Sequence, residues 1–385
     1  LDGDLDLYVV SGGNDFKENE NYLIDRIYLN DGKANFKRIN ISLPMTNGGT
    51  IEVGDFDNDG FDDLFIGSRS LPGAYGLSPY SFILRNSAKM SFEMTLKSRL
   101  GLVTDSAWGD LNNDNLLDLV IVGDWMPITV LINKGDQKFE IANNVLNLNN
   151  TEGLWNTVSI EDINKDGFLD ILAGNSGSNF KWKASIENPV FLYLDDFDKN
   201  EQLDPIIFHN YFGDYVPFSS KDNLAGQLPY IKKKFTQYKK FSKVRTIEDL
   251  TDKKENDILE IKKIVETRSM VYLQNNSKFE GYPLPEKAQL SSIEDYYLDS
   301  SDENIKLFYV GNNDQYITDL GNSSSNTGGV LSDWSNETKS FKEDLFLPLP
   351  IGINAKRIIS LNKHTKLIMS NNDYVYLLSK NHPNE

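Results

Sequence analysis

Asp55-Phe56-Asp57-Asn58-Asp59-Gly60-Phe61-Asp62-Asp63, followed by Leu64-Phe65-Ile66-Gly67, is the stretch whose chemistry sets the architecture of the chain. Acids occupy positions 1, 3, 5 and 9 of a nine-residue loop, glycine occupies position 6, and an apolar strand starts directly behind. A hard divalent cation such as Ca²⁺ takes about six to eight oxygens, and short alternating acids aim their carboxylates at one centre. Asp55, Asp57, Asp59 and Asp63 would supply side-chain oxygens, and Phe61 its backbone carbonyl. Gly60 gives the left-handed backbone that closes the turn.

The same frame recurs. Asp110, Asn112, Asp114, Leu116 and Asp118 form a second set, and Asp162, Asn164, Asp166, Phe168 and Asp170 a third. Asp196, Asp198, Asn200, Gln202 and Asp204 form a fourth, with Glu201 where glycine is expected. Asp2-Gly3-Asp4-Leu5-Asp6-Leu7 supplies only positions 5 to 9 of a further loop. The chain is therefore expected to continue upstream of Leu1. An isolated Asp/Asn/Gly cluster is an ordinary turn. Four full copies in one frame point to a cation-binding repeat holding about four structural Ca²⁺ ions.

Beyond each loop lies a hairpin of the form apolar-x-Asn-turn-Phe. Copies run from Ile27 to Phe36, Ile83 to Phe92 and Val130 to Phe139, and another runs from Val271 to Phe279. Asn-Asp-Gly and Asn-Lys-Gly between alternating apolar residues are hairpin signals. With the strand leading into each loop, every unit holds about four strands. The first three full loops begin at 55, 110 and 162, a period of 55 and then 52 residues. Four-stranded units at such a period predict an all-β fold, a β-propeller of about six to eight blades, the first cut off by the start of the chain. Residues 1–218 are expected to hold the calcium-loop blades, and 269–385 degenerate, metal-free blades in which Lys306 stands at the clamp position. Residues 219–268 break the strand pattern. Ser220 and the Thr246-Ile247-Glu248-Asp249 capping box open helices, and Ile231, Phe235, Tyr238 and Phe241 recur at helical spacing. This small helical insertion within a blade carries Lys232, Lys233, Lys234, Lys239, Lys240, Lys243 and Arg245. A solvated outer face or a docking surface for an acidic partner, including the protein's own acidic rim, accounts for them.

The loop Asp-x-Asp-x-Asp-Gly-x-x-Asp-Leu with its Leu-x-Asn-x-Gly-x-Phe hairpin resembles the VCBS or FG-GAP repeat, the calcium-binding blade of integrin α-subunit-like propellers. Asp204-Pro205-Ile206-Ile207, Gly226-Gln227-Leu228-Pro229 and Pro283-Leu284-Pro285 look like a bacterial subgroup of exported VCBS-repeat proteins associated with ASPIC/UnbV domains. Gly321-Asn322-Ser323-Ser324-Ser325 departs from that subgroup's Gly-Arg-Tyr-Asp-Ala segment, and no UnbV-like tail is visible. The resemblance implies export, to the periplasm, outer-membrane surface or extracellular space.

A net charge of −18, from 57 acids against 39 bases, argues against a nucleic-acid partner. With no cysteine there is neither disulfide nor thiol chemistry, and no run of apolar residues predicts a transmembrane segment. His209, His364 and His382 lie far apart in sequence, without metal-ligand or triad spacing. Trp125 and Trp182 follow loop-strand segments and could stack on a sugar at a blade mouth. The expected function is a non-enzymatic binding or adhesion module presenting loops to a protein or glycan at the cell surface. The alternative is a polysaccharide lyase or hydrolase in which calcium helps hold an acidic sugar.

Overall fold

The computed structural model describes residues 3–15, 20–87, 91–299, 305–316, 319–362 and 364–379. Leu1, Asp2 and His382 lie outside them, as does 300–304 in the degenerate fifth-blade loop.

Among the described residues, six antiparallel sheets follow one another in propeller order. The second sheet shows the pattern in full: Gly48–Gly54, Asp63–Ser68, Ser81–Asn86 and Phe92–Ser98 pair in sequence order. Leu102–Gly109, Asp118–Met126, Thr129–Asn133 and Phe139–Ile141 repeat it, with Gly153–Leu154 added beside Asp118–Met126. Thr157–Glu161 and Asp170–Gly174 open the fourth sheet, which Met270–Asn275 and Lys278–Pro283 complete. Ile293–Asp299 begins a four-stranded fifth sheet and Ala355–Asn362 a three-stranded sixth. The first sheet, Leu7–Val9, Arg26–Asn30 and Phe36–Arg38, corresponds to strands two to four of the others, because Asp6 precedes Leu7 as Asp63 precedes Leu64.

The leading strands of sheets two to six pack side by side around a common axis. They come so close that a Cβ on Gly49 would sit 2.0 Å from the Val103 carbonyl of the next sheet. Charges meet across this axis: Arg357 pairs with Asp295 at 3.2 Å and also attracts Asp105 and Glu52. Burial, reinforced by Asp105, pushes the Glu52 carboxyl up to about 7.

Period-two alternation places successive residues of one strand on opposite sheet faces, so a strand between two neighbours must be apolar on both. Leu119 and Ile121 pack with Phe65 and Ile83 of the preceding sheet. Val120 and Val122 pack with Ile171 and Ala173 of the following one.

The insertion is wider than 219–268. Between Gly174 and Met270 lies a seventh sheet, Val190–Asp195, Asp204–Tyr211, Asp214–Pro217 and Glu260–Ile264. Residues 190–217 thus leave the ring, although their alternation is that of a blade. Four short helices, Lys221–Gln227, Tyr230–Lys234, Tyr238–Phe241 and Ile247–Thr251, pack Leu224, Leu228, Ile231, Val244, Ile247 and Leu250 on Tyr193, Ile206 and Phe208 of this sheet. The Ser220 cap and the Thr246–Asp249 capping box form as expected. The stretch over which Ile231, Phe235, Tyr238 and Phe241 recur at helical spacing is two short helices separated at Phe235–Gln237.

Candidate metal centres

Each acidic loop joins the first two strands of an antiparallel pair, so its ends are fixed by ladder pairing: Gly54 with Asp63, Gly109 with Asp118, Glu161 with Asp170, and Asp195 with Asp204. Within the loops the hydrogen bonds repeat residue for residue. Asp55, Asp110, Asp162 and Asp196 each accept backbone N–H bonds from positions 5 and 6 at 2.7–3.0 Å. Asp59, Asp114, Asp166 and Asn200 accept the N–H of position 7, from Phe61, Leu116, Phe168 and Gln202, at 2.8–3.0 Å.

The position-9 aspartates hold the loops to the sheets. Asp63, Asp118 and Asp170 are fully buried. Each accepts the N–H of loop position 2, from Phe56, Leu111 or Ile163, at 3.0–3.1 Å. Each also accepts an N–H from the hairpin amide residue, Asn86, Asn133 or Gln274, at 2.7–2.8 Å. Asn30 donates in the same way to Asp6 of the truncated loop at 2.9 Å. The hairpin Asn is therefore the anchor of the loop behind it. Its side chain also joins neighbouring sheets: Asn133 Nδ2 donates to the Phe56 carbonyl and Gln274 Nε2 to the Leu111 carbonyl, at 2.8 and 2.9 Å.

Carboxylate oxygens of Asp55, Asp57 and Asp63 lie within 4.8 Å of one another, as do those of Asp196, Asp198 and Asp204. Like charges this close, partly out of water, favour the protonated form. Burial first, then the neighbouring loop acids, push Asp63 and Asp118 up to about 6. Asp170 is likewise raised to about 6, by burial and by Asp166, and Asp204 is raised by burial. Asp198 Oδ1 is buried without a hydrogen-bond partner. An all-oxygen donor set carrying excess negative charge fits a hard divalent cation.

Two features were not anticipated. Position 4 is left-handed in all four loops, at Asn58, Asn113, Lys165 and Lys199, with φ between 58° and 62°. Asparagine at two of these positions was the available signal. Position 6 is also left-handed throughout, at Gly60, Asn115, Gly167 and Glu201. The exposed Glu201 bears this at φ 67° without glycine's freedom. Glu201→Gly is expected to raise stability by about 0.5–1 kcal/mol in urea unfolding at saturating calcium.

The second feature is Arg85. In the second and third loops the position-3 asparagine, Asn112 or Asn164, donates to the position-5 acid at 2.9 Å. In the first loop position 3 is Asp57, and Arg85 from the adjacent strand donates instead, to Asp57 and, at 2.6 Å, to Asp59. The guanidinium offsets the extra carboxylate. Arg85→Gln is expected to tighten calcium binding at this loop roughly three- to tenfold, and to lower the melting temperature measured in chelator. Titration calorimetry and a thermal scan read the two effects.

Residues 1–66 and 110–173 match the family model described as FG-GAP-like repeat. The similarity is confined to these two stretches, about a third of the chain. The matched stretches contain the truncated loop and the first, second and third full loops, and the fourth loop lies outside them. No curated protein matches the chain.

The suggestion that Trp125 and Trp182 form a sugar platform is not upheld. They are 3% and 2% exposed and pack against each other, with ring centroids 5.7 Å apart, where the insertion lies on the end of the third sheet. His209 is a strand residue whose ring rests on Phe218. Among the described residues no helix is long and apolar enough to cross a membrane.

Proposed function

We propose that this FG-GAP-like repeat chain is a calcium-stabilised β-propeller module that binds rather than catalyses, presenting its loops to a protein or glycan outside the cell. The observation that carries the metal reading is the buried position-9 aspartate. Asp63, Asp118 and Asp170 each sit at 0% exposure with two backbone N–H donors, and neighbouring loop acids push each carboxyl further up. Such burial is costly for an anion with further carboxylates close by. Asp55, Asp57, Asp59 and Asp63 would hold the ion in the first loop. Asp110, Asn112, Asp114 and Asp118 would do so in the second, Asp162, Asn164, Asp166 and Asp170 in the third, and Asp196, Asp198, Asn200 and Asp204 in the fourth. The carbonyls of Phe61, Leu116, Phe168 and Gln202 would complete the sets.

When bound, the ion supplies positive charge and fixed geometry, tying each loop to its strands in a chain without disulfides. The extracellular assignment rests on the repeat type. Protein dialysed against calcium should retain about four ions per chain. Metal analysis finding none, on folded protein, would overturn the reading.

A further inference from the structure

The inserted sheet ends in an exposed apolar tip beside unpaired lysines, and we propose that this tip docks on an anionic lipid bilayer. Three large side chains project there: Phe212 at 93% exposure, Tyr211 at 59% and Ile186 at 60%. They belong to one surface. Asn210 Nδ2 donates to Asn188 Oδ1 at 3.0 Å, and Asn210 Oδ1 accepts the Gly213 N–H at 3.0 Å, which ties the Ile186 loop to the Tyr211–Asp214 turn.

Phe212 occupies the first central position of that turn with φ 52°, followed by Gly213 at 93°. Asn, Asp or Gly suits such a position, and an aromatic there is strained. The strain holds a phenyl ring out in water, edge-on to the Tyr211 ring with centroids 4.7 Å apart, so that the two rings form one exposed apolar point.

The charge beside the tip is segregated from the rest of the molecule. Between Lys239 and Arg245 four lysines and arginines stand with no acid among them, in a chain that carries −18. Lys239, Lys240 and Lys243 are exposed and make no ion pair among the described residues. One guanidinium joins them to the tip. Arg245 donates to the Ser242 and Val244 carbonyls at 2.8 and 2.9 Å and to Asp214 at 2.9 Å. An apolar wedge flanked by cations matches a bilayer surface, where rings sink among the headgroups and each lysine is drawn to anionic lipid. Three acidic loops belong to the ring of blades, and the fourth closes the inserted sheet at the end opposite the Tyr211–Asp214 turn, so this basic tip is the element suited to that contact.

The test is sedimentation of the full chain with vesicles of phosphatidylcholine alone, or with about one-third phosphatidylglycerol, at one saturating calcium concentration. Binding is expected to the anionic vesicles only. The combined variant K239E/K240E/K243E should lose roughly tenfold or more of it, and Phe212→Ser should lose severalfold. Both should keep the parent melting temperature, because neither site is buried. Equal binding to both vesicle types, or none to either, overturns the proposal. So does binding unchanged by the lysine reversals, which would assign it to calcium bridging from the acidic loops. Displacement by a soluble polyanion together with indifference to Phe212→Ser would assign the patch to a polyanionic macromolecule and also overturn the lipid assignment.

Discussion

Chelation should lower the melting temperature of the calcium-loaded protein by about 10 °C or more. An ion present at a hundred times its dissociation constant stabilises by about 2.7 kcal/mol, and four loops add such contributions. In a chain of this length each kcal/mol moves the midpoint by roughly 1–2 °C. The effect should depend on pH with a definite sign. Asp63, Asp118 and Asp170 in the metal-free fold are raised from 3.8 to about 6. A carboxyl whose folded pKa lies above its unfolded one favours the fold fully below the unfolded value, and loses that contribution as pH rises through the folded value. The chelated protein should therefore melt lower at pH 7 than at pH 5. Calcium requires the ionised form, so the stabilisation by calcium should grow across the same interval. Thermal scans with and without chelator at both pH values measure this. A calcium increment independent of pH would place the ion elsewhere.

Asp118→Ala should be the most damaging single substitution in the loops, costing about 3–5 kcal/mol in calcium. Asp118 accepts from Leu111 and Asn133. Removing it strands two buried donors, releases the ion and loosens the residue whose side chain reaches the preceding loop at Phe56. Asp118→Asn retains an acceptor of similar shape but less charge and should fall between. Asp204→Ala should cost less, because Asp204 receives longer bonds, 3.2 Å from Phe197 and 3.3 Å from Gln227, in a sheet outside the ring. Urea unfolding of the three variants gives the order. Equal costs at 118 and 204 would remove the special place given to ring loops.

The frame of the loops and the recurrence of the Asn hairpin were legible because both are local: spacing decides which acids converge, and an Asn-Gly turn decides its own hairpin. The link between them was not legible from spacing, because Asn30, Asn86 and Asn133 follow Asp6, Asp63 and Asp118 by 24, 23 and 15 residues. It became visible only when their N–H groups met Asp6, Asp63 and Asp118. Sheet membership was not legible. Val190-Phe191-Leu192-Tyr193-Leu194 alternates like any blade strand, and its partner Glu260–Ile264 lies beyond the helices. Burial of Trp125 and Trp182 was hidden for the same reason, because the insertion covers them. Left-handed Lys165 and Lys199 are imposed by loop closure against side-chain preference.

Placing the seventh sheet between Gly174 and Met270 has a consequence for how the chain reaches its native state. The fourth blade cannot zip its second strand to its third until the whole intervening segment has emerged, and a long open loop makes that encounter slow. The roots of the segment are stitched together, with Gly177 N–H on the Thr267 carbonyl at 2.7 Å and Asn175 bonded to Ser269 and Glu266. Once its helices have collapsed on their own strands, the two ends are delivered side by side, and the long excursion contributes to the search only as a short tether would.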